Sequence, residues 1–395
     1  MKFWGVRIFS IAAAILGCLL LDRVAHGQSD FIQRLVVLAG LYVTLSVSLN
    51  LINGITGQFS IGHAAFYQVG AYMTGFLASK YFTSAHLPPI LWVLLMMVAG
   101  AIAAAIAGLI VGLPSLRLKG DYLAIVTLGF GEIIRIVAQN QDSLGGAYGM
   151  KVEPRFQFIW LVWLLAILCI AVSRNMLRTA HGLPFLAVRE DEVASSAMGV
   201  NVTKVKVTAF LLGSAFAGAA GAILAHFEGF ISPNMFTMDV SFIIVTMVVL
   251  GGTGSITGSA IAAVLLFYLP EKMRDVSDIR LGTLVAIAIG IALGVAALRK
   301  IRHDYHGPNG NKAMLYIGVI VIVLLFSKFG GMGFSQIPAL AAQVEGIKLR
   351  LVVFAVTLIV LMLLRPQGIF GHHEFSWSWV KRILGRKAPT TEVSA

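Results

Sequence analysis

Apolar residues run through this chain in long blocks separated by short polar stretches. A helix needs about 20 mostly apolar residues to cross the hydrocarbon core of a bilayer, and it satisfies its own backbone hydrogen bonds there. Blocks of this kind predict spans over 4–21, 34–53, 61–80, 89–112, 121–138, 157–173, 205–226, 239–251, 256–269, 281–298, 313–327 and 350–364. The pair 239–251 and 256–269 is short. Its joint, GGTGSITG from Gly251 to Gly258, breaks a helix. The pair reads either as a re-entrant hairpin or as two tilted crossings, and both return the chain to the side it left. The expected fold class is an all-α polytopic membrane protein with about 10–12 transmembrane or re-entrant helices.

Composition agrees with the pattern. The 395 residues are 58% hydrophobic and 12% charged, with a mean hydropathy of +0.87. Such a chain uses lipid, not a water-excluding interior, as the solvent for most of its surface. Lys2 followed by an apolar run raises the question of a cleaved signal peptide. Arg7 interrupts that run and VAHGQS makes a poor cleavage site, so a first span is expected. The spans define one transmembrane domain over 1–371, followed by a short polar, basic tail over 372–395.

The net charge is +12. No basic patch is interleaved with aromatics, so a nucleic-acid partner is not expected and membrane lipid is. With the N-terminus inside, the inner segments, with Lys206 at their edge, hold 17 Lys and Arg against 9 in the outer loops. Cytoplasmic loops collect positive charge, so both termini are expected in the cytoplasm, and the long loop 174–204 with them. Cys18 and Cys169 lie in apolar segments as free thiols. His372 and His373 have no third ligand at useful spacing, so no metal site is expected.

Candidate chemistry gathers in three places. Arg189, Glu190, Asp191 and Glu192 form an unbroken charged run in loop 174–204. Strong helix formers and small residues follow it, and then Gly199, suited to a C-terminal cap. A short surface helix is expected, with acids at its start, where the helix dipole favours them, and a small apolar stripe of Val193, Ala194, Ala197 and Met198. Second, LNLINGITGQFSIGHAAFYQVGAY (49–72) places Asn50, Asn53, Gln58, Ser60, His63, Tyr67 and Gln68 beside helix-breaking glycines. Transporters set substrate beside broken helices, whose exposed backbone groups can meet a zwitterion; close helix packing is the alternative use of the glycines. Gly252 and Ser255 mark a second such break, and both breaks carry Ser-Ile near their centre. Third, Glu132 and Arg135 stand i, i+3 on one helix face and are expected to pair structurally. No Gly-x-x-x-x-Gly-Lys-Ser/Thr phosphate loop occurs.

Several long motifs resemble those of LivM-type permeases, the membrane subunits of branched-chain amino acid ABC importers. They are LAVREDEVASSAMGVNVTKVKVTAF (186–210), LRLKGDYLAIVTLGFGEIIRIV (116–137), GFISPNMFT (229–237), VVLGGTGSITG (248–258) and LRPQGIFG (364–371), in the family's order. The resemblance runs from about Leu49 to Gly371. It implies an ATP-binding-cassette permease that moves Leu, Ile or Val into the cytoplasm across a bacterial inner membrane. Related permeases serve urea, short amides or other amino acids. It implies a second, LivH-like permease, two cytoplasmic ATPase subunits and a periplasmic substrate-binding protein. The chain itself would be non-catalytic and bind no cofactor, with ATP and magnesium on the ATPases. The charged loop resembles the coupling helix that docks on an ATPase, with Arg189, Glu190, Asp191, Glu192, Ala194 and Gly199 as coupling residues. The general importer pattern would place Glu at 193, which is Val193, so the match is to the LivM version.

In that family LPE (269–271) is followed quickly by the last span. Here about 70 residues intervene, an extra two-span insertion over about 275–345. The rival from another class is an ion-coupled secondary transporter. It needs intramembrane acids, and only Glu132 lies deep within a span. A membrane-embedded enzyme would need a clustered His, Asp or Cys site, which the sequence lacks.

Overall fold

The computed structural model describes residues 2–115, 120–155, 158–180, 182–274, 279–280, 343–344, 368 and 371. The expected spans 281–298, 313–327 and 350–364, and the tail from 372 with its two histidines, lie outside the described residues. Among the described residues the chain forms α1 (Lys2–His26), α2 (Asp30–Asn50), α3 (His63–Ala85), α4 (Pro89–Ser115), α5 (Asp121–Asn140) and α6 (Ile159–Arg178). Two short helices follow, α7 (Leu183–Glu190) and α8 (Glu192–Ala197), then α9 (Val202–Glu228), α10 (Met238–Gly251) and α11 (Ile256–Arg274). Among the described residues six segments are long and apolar enough to cross a membrane: Asp30–Ile55, Pro89–Leu113, Tyr122–Asn140, Ile159–Leu177, Val202–Glu228 and Pro233–Gly251.

The chain divides into two compact units, 1–268 with 360–374, and 269–359 with 375–395. In the second, described residues form one antiparallel pair, β3 (Ile279–Arg280) with β4 (Gln343–Val344).

In the first unit α9 is the central post, packed along α3 and α4 and touching α2. Its sequence explains the position. Ala217, Gly218, Ala219, Ala220, Gly221 and Ala222 give it an almost bare backbone, and all six are buried. Gly218 lies against the backbones of Gly70 on α3 and Gly100 on α4, where an added Cβ would overlap main-chain atoms. Close approach of this kind holds membrane helices together, because lipid removes any hydrophobic preference for helix over solvent. On the far side of α4, Leu91, Leu95, Val98, Ile102, Ile106, Ile110 and Leu113 are exposed. Their spacing of three and four makes one apolar face turned away from the bundle, as a hydrocarbon solvent requires.

Cross-links sort the helix ends into two faces. On one, Asp22 of α1 accepts hydrogen bonds from the Ile159 and Trp160 amides that open α6, at 2.8 and 3.2 Å. Arg34 of α2 pairs with Glu228 of α9 at 3.0 Å. A two-stranded ladder, β1 (Met150–Lys151) with β2 (Phe230–Ile231), ties the α5–α6 and α9–α10 loops. The turn after α2 and the α7–α8 loop meet on the other face, where Arg189 reaches the carbonyl of Gly54. The 54–60 and 174–204 segments thus lie on one face and the α1–α2, α5–α6 and α9–α10 loops on the other.

Candidate functional site

α2 does not end cleanly. It widens into a π-helical turn, Leu51–Ile55, and the chain then runs irregularly from Thr56 to Gly62 before α3 begins at His63. Gly57 takes a left-handed φ of +70°, which turns the chain back into the bundle. A break inside a membrane bundle leaves backbone groups to be satisfied. Here the segment supplies its own partners. The Asn53 amide donates to the Ser60 carbonyl at 2.9 Å, and its oxygen accepts from the Ser60 N–H at 3.1 Å. Thr56 Oγ1 donates to the Ile52 carbonyl at 2.7 Å and accepts from the Gln58 side chain at 2.9 Å. Neighbours complete the entry to α3. Thr127 of α5 accepts from the Ile61 N–H, and Ser241 of α10 from the Ala64 N–H, each at 3.1 Å.

The second break joins α10 to α11. Gly252 and Gly254 have φ of +112° and +92°, and Ser255 Oγ caps α11 by accepting from the Gly258 N–H at 3.1 Å. Its remaining support comes from α2. Asn50, fully buried, accepts from the Gly254 N–H at 2.9 Å and donates to the Ser255 carbonyl at 3.0 Å. The two breaks touch directly: a Cβ on Gly54 would collide with the Gly254 amide and with Asn50 Oδ1. Gly368, from the RPQG motif, closes the same spot, where its Cβ would stand 2.5 Å from the Gly252 backbone. Segments scattered over more than 300 positions therefore meet at one node.

The charged loop hangs from this node. The sequence predicts one helix there; the structure has two, divided at Asp191. Asp191 is extended (φ −156°, ψ 115°), and its carboxylate accepts from the Val193 and Ala194 amides at 2.8 and 3.1 Å, so it is the N-cap of α8. Glu192 pairs with Lys206, which is buried at the start of α9. Glu190 pairs with Arg189 at 2.8 Å. The free Nη1 of Arg189 reaches the Gly54 carbonyl at 3.3 Å. Gly199, with φ of +86°, ends the loop helix as a C-cap residue should. Ala194 is exposed, and Val193 and Met198 are 69% and 85% exposed.

The remaining candidates are distributed nearby. His63 is fully buried with Nε2 2.8 Å from Ser48 Oγ, whose hydroxyl donates onward to the Leu45 carbonyl. That arrangement makes Nε2 the donor and leaves Nδ1 an acceptor with no partner. Ser60 Oγ and both amide ends of Gln68 are likewise buried and unpartnered. Tyr67 packs edge-on against Phe236, ring centres 5.3 Å apart. Glu132 and Arg135 form their i, i+3 pair at 2.7 Å. Glu132 lines a narrow cleft with Gly62, Ala65, Phe236 and Ser241, where the N-termini of α3 and α10 converge. No group of three His, Cys, Asp or Glu is placed to hold a metal among the described residues.

Sequence reasoning missed Gly54, Lys206 and Gly368 as parts of the site. Gly54 was visible as a helix breaker. Nothing in spacing tied Lys206 to Glu192 or Gly368 to Gly252.

Membrane-length helices, two apposed glycine breaks and a helical loop wired to them define a polytopic membrane transport protein. The family model described as branched-chain amino acid transport system / permease component matches residues 31–280, and the chain belongs to this family. It is 35% identical over 307 residues to the high-affinity branched-chain amino acid transport system permease protein LivM of Escherichia coli (strain K12), covering 69% of each chain. It is 28% identical over 341 residues to the probable LivM permease of Methanocaldococcus jannaschii, covering 77% of this chain and 93% of that one. The LivH permease of Escherichia coli (strain K12) is 24% identical over 289 residues, 66% of this chain and 94% of its own. No solved structure matches. The chain is a multi-pass protein of the bacterial inner membrane.

Proposed function

We propose that this chain is the LivM-type permease subunit of an ATP-binding-cassette importer that brings branched-chain amino acids into the cytoplasm. Family membership supports the class, and the names of the LivM relatives support the substrate. The observation that carries the mechanism is the attachment of the α7–α8 loop to the glycine node. In this reading the loop faces the cytoplasm, the side that the excess of Lys and Arg in the inner segments favours. It docks on one of two ATPase subunits, which hold ATP and magnesium. The chain pairs with a LivH-like permease and takes substrate from a periplasmic binding protein. It contributes no catalysis of its own.

The surface offered to the ATPase is the exposed side of α8, with Val193, Ala194, Met198 and Gly199, flanked by Glu190. Asp191 and Glu192 are occupied within the chain, by the α8 cap and by Lys206. The substrate path runs along the first break and the entry to α3. Asn50, Asn53 and Gln58 are committed to the fold there. The unpartnered acceptors His63 Nδ1 and Gln68 Oε1, with the Ser60 hydroxyl, are the groups left to meet a zwitterion. Phe236 and Leu128 line the adjoining narrow cleft, which in this structure is no wider than a water-sized group.

The test is reconstitution in proteoliposomes with the second permease, the ATPase pair and the binding protein. Leucine uptake should require ATP, and the purified chain alone should hydrolyse none. Competition by valine, urea, short amides and other amino acids then fixes the substrate. Uptake by the chain alone, driven by a proton gradient and indifferent to ATP, would replace this reading with a secondary carrier.

A further inference from the structure

The carbonyl of Gly54 sits where a helix has run out. In a continuing helix it would accept from the amide four or five residues on. The Gln58 amide is instead turned onto the Ile52 carbonyl at 3.0 Å, because Gly57 reverses the chain. A helix end of this kind leaves carbonyls in need of donors, and in a membrane bundle water is scarce. The donor at Gly54 is a guanidinium from the α7–α8 loop, 135 positions away.

The guanidinium is held for that purpose. Nε and Nη2 of Arg189 both donate to Glu190 Oε1, at 3.1 and 2.8 Å, which leaves Nη1 for Gly54. Arginine offers five donors in a rigid planar fork, so fixing two of them aims the rest; lysine, a mobile point charge, cannot be aimed in this way. The approach is close. A Cβ on Gly57 would stand 3.2 Å from Arg189 Cγ and 3.4 Å from its Cα. Beyond Gly54 the contact continues without slack through its bare backbone to Gly254, and Asn50 binds that second break to α2.

We propose that Arg189 is a positioning residue of the transport cycle. It ties α7 to the carbonyl of Gly54, so that displacement of the loop by a docked ATPase moves both glycine breaks together. Arg189 then acts through the node and not by touching the ATPase. The proposal rests on the permease reading above and assigns a role within it.

The experiment compares wild type with Arg189→Lys and Arg189→Ala in the complete reconstituted complex. ATPase co-purification, ATP hydrolysis and leucine uptake are measured on each. Losing a charge-assisted hydrogen bond should cut uptake per ATP hydrolysed by about tenfold or more. Co-purification and hydrolysis should hold. Loss of ATPase association in step with uptake would overturn the proposal and make Arg189 a docking contact. Unchanged uptake per ATP would overturn it as well.

Hydrogen exchange on the same complexes gives a readout that does not depend on transport. On ATP binding, wild type should change protection at 54–58 and 252–258 together. Arg189→Lys should keep the change at α8 and lose it at both breaks; retention at the breaks overturns the proposal. Should the alanine variant fail to assemble, the lysine variant carries both measurements. Failure of the permease reading looks different: wild type itself would show no ATP-dependent uptake.

Discussion

Between Leu51 and Gly62 the chain leaves its helix and closes the gap with its own side chains, Asn53 onto Ser60 and Thr56 onto Ile52. Between Gly252 and Ser255 it leaves a helix and relies on Asn50, 204 positions earlier, to hold the Gly254 amide. The first break closes mostly on itself, with Arg189 on the Gly54 carbonyl and Thr127 on the Ile61 amide as outside partners, and the second leans on Asn50 of α2. A bundle built this way can shift the pair as a body, because Asn50 holds the second break to α2 and Ser46 of α2 donates to the Ser259 carbonyl just beyond it. It also gives one buried side-chain amide, Asn50, both a donor and an acceptor contact in the second break.

The sharpest way to break this pairing is Gly54→Ala. Its methyl would meet main-chain atoms of Gly254, which have no rotamer to change. Overpacking costs about 1–3 kcal/mol where side chains can shift, and this site lies at or beyond the upper end. Uptake in proteoliposomes should vanish while the chain still inserts in the membrane.

Asn50→Ala comes next. It removes the acceptor of the partly buried Gly254 N–H, at a cost of about 1–3 kcal/mol. The Ser255 carbonyl keeps its bond from Ser259 Oγ at 2.9 Å, so the damage centres on Gly254. Thermal unfolding in detergent should fall, and hydrogen exchange should rise at 252–255 while 53–60 stays protected. Asn53→Ala is the mirror experiment. Asn53 is only partly buried, so water replaces part of what is lost, and about 1 kcal/mol is expected. Exchange should rise at 58–61 and leave 252–255 unchanged; a rise at both would show that the two breaks do not rest on separate side-chain amides. Asp191→Ala sits outside both breaks. It removes the α8 cap for roughly 0.5–2 kcal/mol. Circular dichroism should barely change, and amide exchange should increase only within 192–197.

Much of this was legible in the sequence, for reasons that differ by residue. Apolar blocks of spanning length gave nine helices to within a few residues, since length and hydropathy are local properties. Gly199 and the Glu132–Arg135 pair were readable because a cap and an i, i+3 contact are also local. The division at Asp191 was not. An acid inside a run of acids looks like the first turn of one helix, and only its extended backbone and two accepted amides show that it begins a second. The node was even less accessible. Asn50 with Gly254, Arg189 with Gly54 and Gly368 with Gly252 are contacts between distant parts of the chain. No spacing encodes them. The glycines announced two breaks in the sequence, but that the breaks face each other is a property of the packed bundle.

The β3–β4 pair has a different kind of consequence. Ile279 lies opposite Val344, and Arg280 opposite Gln343, at the two ends of the stretch 281–342. Paired strands are about 4.8 Å apart, a gap that a two-residue turn can span. The stretch 281–342 thus begins and ends at a single place. In evolutionary terms, a stretch whose two ends meet at one seam is one that a single insertion or deletion could add or remove without rerouting the chain on either side.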